Sequence, residues 1–189
     1  MNKTYALRHP VLMTAVAVAA SLAGGCGTTD AARAPEIPSR IQVAFRSCSD
    51  IPTEILSNSG LTSDPRPDPS SEESTSEEVK TRGCTYHGKS GDNLSSWAGI
   101  SIEETNMTTD YYRFYHHEST VQPRLVSGQK AVVKASTDSS ISLCMVLVDV
   151  PGGAVRFDTG TSSRDDKRDP CQILVEFADE VTPIALAKK

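Results

Sequence analysis

The stretch ISLCMVLVDV, residues 141–150, is apolar on both of the sides that an extended chain presents. Leu143, Met145 and Leu147 fall on one side and Cys144, Val146 and Val148 on the other. That is the signature of a central strand covered above and below, since a strand with one wet face alternates apolar and polar residues. Working outward, Pro151-Gly152-Gly153 supplies turn chemistry before a second strand over residues 154–159. Ser136-Thr137-Asp138-Ser139-Ser140 likewise separates the spine from a strand over residues 130–135. Three neighbours joined by turns predict an antiparallel meander.

Helical signals flank the meander. Asp169-Pro170-Cys171 caps and opens a helix that the spacing carries to about residue 181, before Pro183, with Cys171, Leu174, Val175 and Ala178 as its buried stripe. Residues 108–118 predict a second helix, capped by Thr108 or Thr109. Its Tyr111, Tyr112, Phe114 and Tyr115 are four of the chain's ten aromatics. Residues 84–87 and 94–103, around Gly91-Asp92-Asn93, predict a hairpin carrying Trp97, Ile100 and Ile102. Upstream, residues 41–45 form a strand or lead-in, and residues 48–58 a helix with Pro52 in its first turn. The fold class is therefore α+β: an antiparallel sheet, built as a meander, packed by helices. The Pro-, Ser- and acid-rich residues 62–82 cannot bury themselves and predict a disordered acidic loop.

The N-terminus sets the address. Lys3 and Arg8 precede an apolar run over residues 11–23, the layout of a signal peptide. At 13 residues the run falls short of the about 20 needed to span a bilayer. Leu22-Ala23-Gly24-Gly25-Cys26 resembles a lipobox, in which the thiol accepts a diacylglyceryl group before cleavage. Leu22 stands one place further from the cysteine than is usual, and ordinary cleavage after Ser21-Leu22-Ala23 is the alternative. The expected organisation is a signal peptide over residues 1–25, a lipidated Cys26 with a flexible tether to residue 40, and a single domain over residues 41–187. The lipid would hold the protein on the extracytoplasmic face of the membrane. Losing Lys3 and Arg8 from the 19 basic residues leaves 17 against 24 acids, a formal charge of −7, which disfavours nucleic acid as a partner.

Beyond Cys26 the chain has four cysteines, Cys48, Cys84, Cys144 and Cys171. In an oxidising compartment an even set predicts two disulfides. Three pairings are open; Cys48 with Cys84 and Cys144 with Cys171 is favoured, because each joins sequence neighbours across a helix-plus-strand unit. A zinc site using Cys84 and His87 is the competing use of these residues.

The order of elements resembles the actinobacterial lipoprotein family known as domain of unknown function 3558. The shared features are an early cysteine opening a helix (Cys48), a Gly-Cys pair opening a strand (Gly83-Cys84), a cysteine in a central strand (Cys144) and Asp-Pro-Cys opening the last helix (Asp169-Pro170-Cys171). Tyr86 stands where the family often has Trp, Arg46-Ser47 replaces Asp-Pro before Cys48, and the acidic insertion is extra. The resemblance implies a fold similar to the Mog1/PsbP type and no established activity.

Chemistry is sparse. No nucleophile-elbow, metalloprotease, phosphate-loop or dinucleotide fingerprint occurs, and no cofactor, metal site or catalytic residue is expected. Tyr111, Tyr112 and Tyr115, with Trp97, are the candidates for a ligand groove, since aromatics with a polar end suit binding surfaces. The expected role is a non-enzymatic binding or protein-interaction domain at the cell envelope, its partner an envelope protein or a small apolar ligand. The alternatives are an envelope hydrolase using His87 or His116 as base, and a sensor or accessory subunit of a membrane complex.

Overall fold

A computed structural model of the chain describes residues 33–67, 78–88, 97–117, 120–138, 141–161 and 169–189, with the side chains of residues 97, 98, 137, 138, 141 and 161 left aside. The region from Ala34 to Lys189 is one compact unit. The signal, Cys26 and residues 27–32 of the tether lie outside the described residues, as do residues 68–77 of the acidic loop.

Among the described residues seven strands form one antiparallel sheet. They are β1 (Arg66–Pro67), β2 (Thr81–Tyr86), β3 (Trp97–Thr105), β4 (Val121–Val126), β5 (Gln129–Asp138), β6 (Ile141–Val150) and β7 (Gly153–Thr161). The spatial order is β1-β2-β3-β7-β6-β5-β4. Strands β4 to β7 are the expected meander, one strand longer than the spacing predicts. The strand β4 was unrecognised because it is an edge strand: four of its six residues are exposed, and it holds Pro123, which an edge tolerates. A crossover from β3 through α2 (Thr109–Tyr115) carries the chain to the far edge, and β7 then returns to pair with β3. Arg66 and Pro67 pair with Thr85 and Cys84, and residues 81 and 82 already belong to β2. The ordered sheet therefore takes both ends of the stretch read as loop.

The two faces of β6 behave as its sequence predicts. Cys144, Val146, Val148 and Val150 join a cluster with Phe157 of β7 and with Leu174, Phe177, Ala178 and Val181 of α3 (Pro170–Ala187). On the same face, Val43, Phe45, Ile51 and Leu56 pack with Tyr86, Ile100 and Ile102. Met145 and Leu147 face the opposite way, against Met107, Tyr112, Val132 and Ala154. One side of the sheet is thus covered along its length by α3 and the residue 43–61 segment, whereas among the described residues the other is covered by the short α2 and by Val79.

Both disulfides join the favoured partners, Cys48–Cys84 and Cys144–Cys171, with Cα–Cα distances of 5.3 and 5.2 Å. Cys84 is thereby committed to sulfur and not to zinc. Cys48 sits in a turn rather than in a helix, and α1 begins later, at Thr53–Asn58, with Pro52 as its cap. A buried carboxylate fixes that turn. Glu104, 2% exposed, accepts from the Ser47 backbone N–H at 2.6 Å and from Arg82 Nε at 2.9 Å, so its charge is neutralised in place. Tyr86 completes the arrangement by donating its hydroxyl to the Ser47 carbonyl at 2.5 Å.

Helix α3 runs through Pro183 to Ala187, beyond the expected stop. A proline there cannot donate to the carbonyl of Asp179, four residues back. Ser127, in the β4–β5 turn, donates its hydroxyl to that carbonyl at 2.8 Å and its N–H to Asp179 Oδ1 at 2.6 Å. The helix continues because a neighbour satisfies the acceptor that proline leaves empty.

Candidate functional site

The thinly covered face holds the candidate site. Side chains there run in rows across the strands, set by the register. Glu103, Arg156, Leu147 and Val132 form one row, on β3, β7, β6 and β5. Thr85, Ser101, Asp158, Met145 and Lys134 form the next, and Gly160, Leu143 and Ser136 the one beyond. Tyr112 of α2 packs against Leu147 and Val132 of the first row and Met145 of the second, and among the described residues Leu143 of the third stays exposed.

The position of α2 follows from its ends. Thr108 caps it by accepting from the Tyr111 N–H, and Asp149 of β6 receives both the N–H and the hydroxyl of Thr109 at 2.8 Å each. This anchor turns Tyr112 inward, where it is 9% exposed and stacks on His116 with ring centroids 4.2 Å apart. Phe114 of the same aromatic cluster is half-buried. It contacts Tyr115 and His117 edge-on, because the Asp149 anchor rather than the aromatic spacing sets the rotation of the helix.

Between Tyr112 and the far end of the sheet lies an open trough of about 510 Å³. Its floor is Met145 and Leu143, the latter 48% exposed, and its rim carries Thr85, Ser101, Ser136 and Lys134. Two glycines, Gly99 and Gly160, deepen the far end. Gly99 sits at an irregularity between Trp97 and Ile100 with φ +137°, where a Cβ would come within 2.3 Å of the Tyr86 carbonyl oxygen. Only glycine fits there.

Arg156 is the electrostatic centre. Its Nη2 donates to Asp158 Oδ1 at 2.9 Å, its Nε lies 2.7 Å from Asp158 Oδ2, and Glu103 Oε2 stands 3.8 Å from Nη1. Burial works against the guanidinium charge, but Asp158 and then Glu103 outweigh it and hold the pKa above its ordinary value.

Of the four residues expected to line a groove, the structure brings Tyr112 to the trough. Tyr111 and Tyr115 stack on each other at 4.7 Å, and Tyr111 donates to Glu78 Oε2 at 3.2 Å, outside the trough lining. The Trp97 side chain lies outside the described residues, and its backbone pairs with Thr161. Neither His87 nor His116 lines the trough. Sequence reasoning missed Arg156, Asp158 and the hydroxyl rim, whose signal was present: polar residues alternating with buried ones along β7 mark a second, unfilled face. Among the described residues no three His, Cys, Asp or Glu side chains gather as a metal site, and no helix is long and apolar enough to cross a membrane.

The described chain enters at the opposite pole. Pro38 accepts from Asn106, and Gln42 and Val43 lie beside Gly152 and Gly153 in the β6–β7 turn. From Ala154 to Gly160, β7 rises about 20 Å, so the deep end of the trough is about that far from this entry point.

The family profile for "Protein of unknown function (DUF3558)" matches residues 21–183. The chain belongs to the DUF3558 family. The matched span takes in all four disulfide cysteines, the trough, and α3 as far as Pro183. No curated protein and no solved structure matches this DUF3558 chain, so a likeness to the Mog1/PsbP type rests on the family resemblance alone.

Proposed function

We propose that this DUF3558 protein is a lipid-anchored binding domain of the cell envelope. Residues 1–25 are removed, Cys26 is acylated, and the folded unit stands on the extracytoplasmic side. The observation that carries the binding role is the trough itself. A sheet face that α2 leaves partly open keeps an apolar floor, a hydroxyl rim and the Arg156–Asp158 ion pair, a set suited to holding a molecule rather than transforming it. Such a domain works without catalysis.

Three further points support the address. The four paired cysteines suit an oxidising compartment. The family match begins at residue 21, so Gly24-Gly25-Cys26 falls inside the family's unit. Residues 27–40, rich in Thr, Ala and Pro, are long enough to hold the domain clear of an anchoring surface.

The test uses the mature chain from residue 26, kept soluble by Cys26→Ser, alongside the same chain carrying Gly160→Val. Gly160 has an ordinary extended φ, so valine suits the strand while filling the trough. Both are incubated with envelope extract, and retained molecules are identified by mass spectrometry. A component held by the first and lost from the second, with unchanged circular dichroism, is the expected result. Equal retention by the two, or retention of nothing, counts against the trough as a binding site.

A further inference from the structure

We propose that the trough takes an uncharged amphipathic molecule: an apolar chain lying on Leu143 and Met145, with a hydroxylated head at the Thr85, Ser101 and Ser136 rim. This rests on the binding role above and names the ligand class. A volume of about 510 Å³ is in the range of sites that enclose a small organic molecule.

The apolar end is set by the floor. Leu143 is a large aliphatic side chain left 48% exposed within a sheet, and it stands opposite Gly160, where the facing strand has no side chain to cover it. The gap has the shape of a missing apolar neighbour. The exclusion of charge comes from the balance of the ionised groups. The lining holds two cations, Arg156 and Lys134, and one anion, Asp158; Glu103, outside the lining, stands 3.8 Å from Arg156 Nη1 and balances the second cation, so Arg156 is already hydrogen-bonded to Asp158 and faces Glu103. An anionic head would have to compete with Asp158 for the guanidinium, and a cationic head would have to displace that guanidinium from Asp158. Either exchange gives up a partly desolvated ion pair for one no better. A neutral head disturbs neither and gains hydrogen bonds from hydroxyls that both donate and accept. Thr85 and Ser101 are suitably close, their hydroxyl oxygens 3.4 Å apart.

The experiment exploits the methionines. Of the chain's four, Met1 and Met13 leave with the proposed signal, so the mature chain has Met107, buried in the adjoining cluster and not part of the lining, and Met145 on the floor. The Cys26→Ser mature chain with ¹³C-methyl methionine is titrated with n-octyl β-D-glucoside, octanoate and octyltrimethylammonium, each below the concentration at which it forms micelles. The expected result is a saturable shift of the Met145 methyl with the glucoside and little movement of Met107. The two charged amphiphiles should bind at least ten-fold more weakly. Leu143→Asp, a change at a half-exposed position that leaves the core alone, and Gly160→Val should each weaken the glucoside at least ten-fold. Equal binding of all three amphiphiles, or a glucoside response unchanged by both substitutions, overturns the proposal. If no amphiphile shifts Met145 while envelope material is still retained in a Gly160-dependent way, this ligand class is wrong and the binding role stands. If both experiments fail, both fall.

Discussion

Tyr86 shows how much one residue of this fold does that its sequence neighbourhood does not announce. Its hydroxyl reaches the Ser47 carbonyl across 39 positions and so ties β2 to the turn that carries Cys48. Tyr86→Phe keeps the ring and leaves that buried carbonyl without a donor, which should cost about 1–3 kcal/mol in urea denaturation. Burial, reinforced by the charge of Glu104, pushes the Tyr86 pKa from 10.0 up to about 12. A raised folded pKa means that the folded state favours the neutral phenol. The contribution is complete below pH 10 and is lost as pH climbs from 10 through about 12. Stability should therefore fall over that window, and less steeply in Tyr86→Phe; identical slopes would show that Tyr86 does not titrate in this way. The cysteine pairing was legible because each bridge joins sequence neighbours. The Tyr86–Ser47 and Arg82–Glu104 contacts were not, because nothing local marks which distant carbonyl or turn a side chain will meet.

Among the elements, β6 was the most readable, since burial on both sides leaves an apolar run that no other element of that length explains. The strand β4 was hidden by its edge position, and β1 by having only two residues. The end of α3 was hidden by a rule that holds on average: proline stops a helix unless something replaces the lost hydrogen bond. The Ser127 hydroxyl is that replacement, and the idea can be tested by a double-mutant cycle. Ser127→Ala should destabilise the protein by about 0.5–1 kcal/mol with Pro183 present. With Pro183→Ala the effect should shrink, because the restored N–H can serve the Asp179 carbonyl itself. Strictly additive effects would mean that the hydroxyl does not compensate for the proline. The same lesson applies to α2, whose amphipathic spacing announced a helix but not its rotation. Two bonds from Thr109 to Asp149 decide that Tyr112, and not Phe114, reaches the sheet.

At the scale of the molecule, the antiparallel sheet and its helices could be read from turns and periodicity. The crossover that sends the chain from β3 to the far edge could not, because strand order depends on which edges remain free once all the pieces have formed. The trough is a consequence of that order: β7 closes against β3, and α2 is too short to roof the face thus made. Two bridges brace the whole. Their loops span 36 and 27 residues and do not overlap, so each should contribute about 3.5–4 kcal/mol on the chain-entropy account. Replacing Cys48 and Cys84 by alanine, or Cys144 and Cys171, should lower the unfolding free energy by roughly that amount, and the two losses should add to within about 0.5 kcal/mol. Marked non-additivity would mean that the bridges act on one shared region.

The proposed role requires this body to be fastened by lipid. The most direct measurement is the mass of the N-terminal tryptic peptide, residues 26–33, from protein recovered in the membrane fraction. It should begin at Cys26 and carry a diacylglyceryl group, with no trace of residues 1–25. A free Cys26 thiol, or a mature chain starting at another residue, would contradict the account.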